Sequence, residues 1–163
     1  MSVSMSDSPL VGVVIGSPSD RAIADKVREA LSGLHVPCEV RVLSAHRTPD
    51  LTAAYAREAE GRGLRVLVAC AGMAAHLAGV IAAHTVLPVI GVPVASGALA
   101  GVDALLATVQ MPPGVPVGTL GVGSWGVRNA AHLALRILAL SDAPLARRLE
   151  DHASAMAAGG RKR

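Results

Sequence analysis

The sequence predicts an α/β fold, a three-layer doubly wound parallel sheet of five strands with helices on both faces. Three observations point there. Short apolar runs dense in valine recur along the chain. Each is followed by a Gly-rich or polar loop, and each loop leads into a longer stretch with helical patterning. Alternation at this spacing specifies βαβ units, whose strands are buried on both faces and whose crossovers are right-handed. The length of 163 residues suits one domain, and the 52% hydrophobic content can supply its core. Aromatics are only 1% of the chain, so Ala, Val and Leu must fill the space between sheet and helices.

The elements follow in order. Residues 1–9 are Ser-rich and read as a mobile lead-in to a catalytic domain spanning 10–157. Residues 10–15 form the first strand, and 20–32 the first helix. Residues 38–43 form the second strand. The second helix covers 48–61, with Thr48 as N-cap and Pro49 at the first helical position. Residues 64–70 form the third strand and 74–84 an Ala-rich helix. Residues 88–92 form the fourth strand and 102–109 a helix. Residues 116–120 form the fifth strand, followed by helices at 128–140 and 144–157. Residues 158–163 read as a basic tail. Five strands of this kind suggest the flavodoxin-like order 2-1-3-4-5.

Charge and cysteine usage exclude several classes. The formal charge is +3, and Arg161, Lys162 and Arg163 supply three positive charges at the terminus. The rest is near neutral, and no basic stripe is interleaved with aromatics, so nucleic acid is not an expected partner. Two cysteines, Cys38 and Cys70, make neither a disulfide framework nor a metal set. No pair of His or carboxylates has metal-ligand spacing. No apolar run reaches the roughly 20 residues of a membrane span, and the N-terminus lacks a signal-peptide layout. The chain therefore reads as a soluble cytoplasmic protein.

In an open α/β sheet, ligands sit outside the carboxyl ends of the strands near the switch in strand order. The loops after strands one to three surround that crevice. The first is GSPSD at 16–20. A helix N-terminus there favours an anion, and the Ser17 and Ser19 hydroxyls can donate to phosphate oxygens. Asp20 would repel a phosphate and suits sugar hydroxyls or an amine. The alternative is plain helix capping by Ser17 or Ser19. The second loop is Ser44-Ala45-His46-Arg47-Thr48-Pro49. Arg47 can fork onto a phosphate, and His46 can exchange protons near neutral pH. The alternative is a polar surface loop. In the third, residues 71–79, small residues around Gly72 permit close approach of a ligand to the backbone. His76 falls in the first turn of the following helix, and can equally be a hydrogen-bonded core residue.

At these loops the sequence resembles the 5-(carboxyamino)imidazole ribonucleotide mutases of purine biosynthesis, within the class I AIR carboxylases. The matching pieces are GSPSD at 16–20, SAHRTPD at 44–50, AAHLAG at 74–79, LPVIGVPV at 87–94 and GVDALLATVQMPPGVPVGT at 101–119, continued by Asn129-Ala130-Ala131. They run in order from about residue 10 to residue 140. The resemblance implies an isomerase of IMP synthesis, acting in the cytoplasm. The carboxylate on the exocyclic nitrogen of the aminoimidazole ribonucleotide moves to ring carbon four through transient decarboxylation. It implies no metal, ATP or organic cofactor, and assembly as a homo-octamer. By the same resemblance His46 is the general acid/base and Ser17, Asp20 and Arg47 contact the ribonucleotide. Ser44, Gly72, His76 and Leu77 line the same pocket.

Two positions depart from that pattern. Met73 stands where such proteins usually have Gly, and either narrows the pocket or points into the core; Ala78 stands where they usually have Pro. Two alternatives remain beside the mutase. One is the related carboxylase, which uses free carbon dioxide and usually carries Lys after the loop-two His, where this chain has Arg47. The other is a non-catalytic flavodoxin-like nucleotide-binding module, which the near absence of aromatics disfavours.

Overall fold

In the computed structural model, which describes residues 8–160, strand and helix alternate from Val11 onward. The first strand, β1 (Val11–Ile15), is buried along its whole length. It pairs in parallel with β2 (Cys38–Val42) on one side and β3 (Val66–Gly72) on the other. Next come β4 (Val89–Val94) and the two-residue β5 (Gly118–Thr119), giving the order β2-β1-β3-β4-β5 with every pair parallel. This is the predicted order. Its cause is visible in β1 and β3, which lie in the middle and read as continuous apolar runs because both their faces are covered.

The two faces divide the apolar residues by their period of two. Val11, Val13, Ile15, Val66, Val68 and Cys70 point to one layer. That layer contains α1 (Arg21–Ser32), α5 (Ser124–Ala139) and the start of α6 (Ala143–Gly160). Val14, Leu67 and Ala69 point to the other, where α2 (Pro49–Glu58) and α3 (Leu77–Ala82) lie. The helix α4 (Val102–Val109) packs over β4. There Thr108 is buried, and its hydroxyl donates to the Ala104 carbonyl at 2.7 Å. Gly91 of β4 leaves room for it, since a side chain at 91 would collide with the Thr108 methyl.

Several boundaries differ from expectation: β3 and β4 each end two residues later, α2 ends at Glu58 rather than 61, and four others have a visible cause. α3 begins at Leu77 rather than 74, because Met73 takes a left-handed φ of 53° and two tight turns follow it. His76 is therefore the residue before the helix, not part of its first turn. β5 is shorter than 116–120, since Pro116 has no N–H to give a ladder. α5 starts at Ser124 rather than 128, after Gly123 at φ 80°. α6 runs on to Gly160, so residues 158–160 continue a helix instead of opening a tail. Residues 1–7 and 161–163, the bulk of the expected lead-in and tail, lie outside the described residues. Thr48 does not cap α2 with its side chain. Its hydroxyl instead accepts from the Ser44 amide at 2.9 Å and donates to the Ser44 carbonyl at 3.1 Å, which closes the second loop on itself.

Candidate functional site

A cavity of about 490 Å³ opens at the carboxyl ends of β1, β2, β3 and β4. Of the residues singled out from the sequence, Ser17, Ser19, Asp20, Ser44, His46, Arg47, Gly72 and Leu77 line it. His76 does not line it and meets the site only through His46.

The first loop is a 3-10 turn, Pro18–Asp20, entered from Ser17. Both readings of this loop are present in it. The Ser17 hydroxyl oxygen accepts from the Ser19 amide at 3.4 Å and the Ser19 hydroxyl at 2.9 Å. The Asp20 amide bonds the Ser17 carbonyl at 3.1 Å. These amides are therefore used within the turn and are not free for an anion. The Ser17 O–H is not used in accepting and can donate into the cavity. Asp20 accepts from the Ser19 hydroxyl at 3.4 Å and stands on the cavity wall as an acceptor.

The second loop is tied across to the first. Arg47 donates from its guanidinium to the Gly16 carbonyl at 2.9 Å, and from Nε to the Ser44 hydroxyl at 3.4 Å. The Arg47 amide also donates to that hydroxyl at 3.2 Å. The guanidinium is thus held in one place with part of its donor fork still unspent. Among the described residues it is the only Lys or Arg on the cavity wall, and so the cationic side chain available there to an anion.

His46 and His76 are in direct contact. His46 Nε2 lies 2.8 Å from His76 Nδ1, with ring centroids 4.9 Å apart and planes at 83°. Both rings are exposed to solvent, so neither is a buried core histidine.

The third loop brings backbone to the cavity. A side chain at Gly72 would collide with the Ser96 hydroxyl and come within 3.2 Å of the Val94 carbonyl. Glycine is required there by the close approach of the β4–α4 turn. Leu77 is buried, and so forms an apolar floor. Beneath the wall, burial pushes the Cys70 thiol up to about 12, with the nearby Asp20 charge adding to the effect, so it stays protonated.

Sequence reasoning missed Ser96, and it left open whether Met73 narrows the pocket or points into the core. Both line the cavity. Ser96 carries no motif, but the topology could have found it, because β4 also ends at this edge. The remaining histidines lie elsewhere: His35 is in the turn after α1, His132 stacks on His152 between α5 and α6, and His84 sits near Arg57. Among the described residues no group of three or more His, Cys, Asp or Glu is arranged to hold a metal ion. Among them, too, no helix is long and apolar enough to cross a membrane.

The strand that leads into the second loop is anchored behind the cavity. Glu39 of β2 accepts from the Tyr55 hydroxyl of α2 at 2.9 Å and pairs with Arg62 at 2.5 Å and Arg41 at 3.4 Å. This ties the strand before the second loop to the helix after it.

Comparison with known proteins gives a consistent result. The profile of the AIR carboxylase family matches residues 10–159. The chain is 58% identical to the N5-carboxyaminoimidazole ribonucleotide mutase of Pseudomonas aeruginosa over 131 residues, 80% of each chain. It is 52% identical to the Bacillus subtilis protein of the same name over 143 residues, 88% of each chain. Among solved structures, it superposes on Treponema denticola PurE with a TM-score of 0.85 at 27% identity, covering 94% of this chain and 95% of that one.

Proposed function

This chain belongs to the AIR carboxylase family, and from that premise we propose that it is an N5-carboxyaminoimidazole ribonucleotide mutase with His46 as its proton carrier. The observation that carries the reading is the placement of His46, Arg47, Ser17 and Asp20 around one cavity at the strand ends.

The substrate brings a phosphate and a carboxylate, both anionic. Arg47 and the Ser17 and Ser19 hydroxyls are the cavity's donors for the phosphate, and Asp20 is the acceptor for ribose hydroxyls. With the ribonucleotide so fixed, the imidazole ring lies toward His46 and the third loop. His46 gives a proton to the exocyclic nitrogen as the carbon–nitrogen bond breaks, and that bond's electron pair stays on nitrogen. This leaves a neutral amine and carbon dioxide. Carbon four then attacks the carbon dioxide, and His46 takes back a proton from carbon four. One proton carrier suffices because the proton given is regained. Holding two fragments in reacting distance can supply several kcal/mol of the barrier reduction. No step calls on a metal or organic cofactor. Loops after β1, β2, β3 and β4 line the cavity; assembly as a homo-octamer, and action in the cytoplasm, belong to the same proposal.

The test is an assay of the purified protein on two substrates. Rapid conversion of N5-carboxyaminoimidazole ribonucleotide to the carbon-four carboxylate supports the mutase. Strong turnover of the decarboxylated ribonucleotide at low bicarbonate would identify a carboxylase instead.

A further inference from the structure

The last helix, α6, is held to the domain along one narrow stripe. Leu145 is buried, Leu149 packs partly against the core, and Arg148 Nε donates to the Leu34 carbonyl at 3.2 Å. His152 continues the same helix face two turns after Leu145. Its ring stacks on that of His132 in α5, with centroids 5.2 Å apart and planes at 27°. Both histidines are partly buried, whereas every residue from 153 to 159 is exposed. A cavity of about 220 Å³ opens beside the stack between α5 and α6. Its charged lining residues are Arg136 from α5 and Glu150 from α6, and no other element among the described residues contributes to it. Those two charges offset each other, so the two imidazoles set the sign of the local charge.

We propose that the His132–His152 stack is a pH-sensitive latch, which holds the C-terminal half of α6 on α5 while both rings are neutral and releases it when they gain protons. Neutral imidazoles pack face to face as flat plates. Two imidazolium rings at this separation repel, with the Arg136 charge beside them and one Glu150 carboxylate to share. An apolar pair at these positions would hold the helices together at any pH; a pair of histidines does so only above the range in which they titrate. Partial burial, then His152, then Arg136 hold His132 below its ordinary value. The docked helix therefore takes up a proton less readily than the released one. Docking is strongest above the ordinary histidine value and weakens as pH falls through it toward the lower value of the docked ring.

The test is hydrogen exchange of the full-length protein at about pH 7.5 and about pH 5.5, corrected for the intrinsic pH dependence of amide exchange. Peptides from 146–157 report the latch, and β3 serves as the internal reference. In the wild type, protection of 146–157 is expected to fall severalfold at the lower pH while that of β3 holds. His132→Gln and His152→Gln, which each leave a single titratable ring, are expected to lose most of that pH dependence. Salt gives a second reading that needs no substitution: about 1 M sodium chloride should restore most of the wild-type protection at the lower pH, because it screens the repulsion. Wild-type protection that is the same at both pH values overturns the inference. So does a fall in acid that both Gln variants share in full, or one that salt leaves untouched.

Discussion

His46 and His76 share a hydrogen bond across the gap between the second and third loops, Nε2 to Nδ1 at 2.8 Å. Such a contact needs a proton on one nitrogen and a bare lone pair on the other. While it lasts, the pair can carry at most one positive charge. His76 therefore couples the tautomer of His46 to its own and meets its ring edge-on at 83°. In the proposed mechanism His76 is a positioning residue. His76→Asn is expected to lower kcat by about ten- to a hundredfold, the scale of one charge-assisted hydrogen bond, with KM little changed. The pH profile of kcat should shift as well. An unaltered profile with unaltered kcat would remove His76 from the mechanism.

Arg47 is the one Lys or Arg on the cavity wall among the described residues and is already braced on Gly16 and Ser44. Arg47→Ala should raise KM by about tenfold or more while kcat falls less. Arg47→Lys should recover only part of the loss, because an ammonium cannot bond Gly16, Ser44 and a phosphate in one plane. Steady-state kinetics of both variants checks this. An unchanged KM in Arg47→Ala would count against phosphate contact.

Gly72 and Ser96 form a steric pair. Gly72→Ala puts a methyl onto the Ser96 hydroxyl and near the Val94 carbonyl, and is expected to cost about 1–3 kcal/mol of stability. Adding Ser96→Gly removes the closest obstacle and should recover part of that loss. Thermal melts of the two single variants and the double variant would show it as a coupling energy. Additive losses would mean that the two residues do not meet.

Much of this was legible in advance. The order of strands was suggested by five apolar runs alternating with helices, as in a flavodoxin-like sheet, and the three loops followed from where such a sheet exposes its strand ends. Contacts between loops were not legible. Nothing in the local pattern says that His76 turns to His46 rather than into the core, because that direction is set by the left-handed turn at Met73. Nor does a Thr-Pro pair reveal whether the threonine caps the helix or, as Thr48 does, closes the loop behind it. Ser96 was hidden for a different reason. Its role comes from proximity to Gly72 across two neighbouring strands, which sequence spacing does not display.

The Glu39 cluster gives a pH dependence. Burial works to raise the Glu39 carboxyl, but the hydrogen bonds from Arg62 and Tyr55 and the charges of Arg62 and Arg41 outweigh it, so the group is held below its ordinary value. Burial and the same carboxylate push the Tyr55 hydroxyl up, so it remains a donor. A carboxyl depressed in the folded state contributes stability that is present above its unfolded value and lost as pH falls through its folded one. Glu39→Gln should therefore lower Tm at pH 7, and the difference from wild type should shrink below about pH 4. Melts at several pH values test this; a difference that grows in acid would reverse the sign.

The most direct measurement of the central claim uses His46→Asn, with turnover and ribonucleotide binding read on the same preparation. The account predicts a loss of conversion of about 10²- to 10⁴-fold or more, the scale of a missing proton carrier, with binding nearly unchanged. Conversion near the wild-type rate in His46→Asn would contradict it.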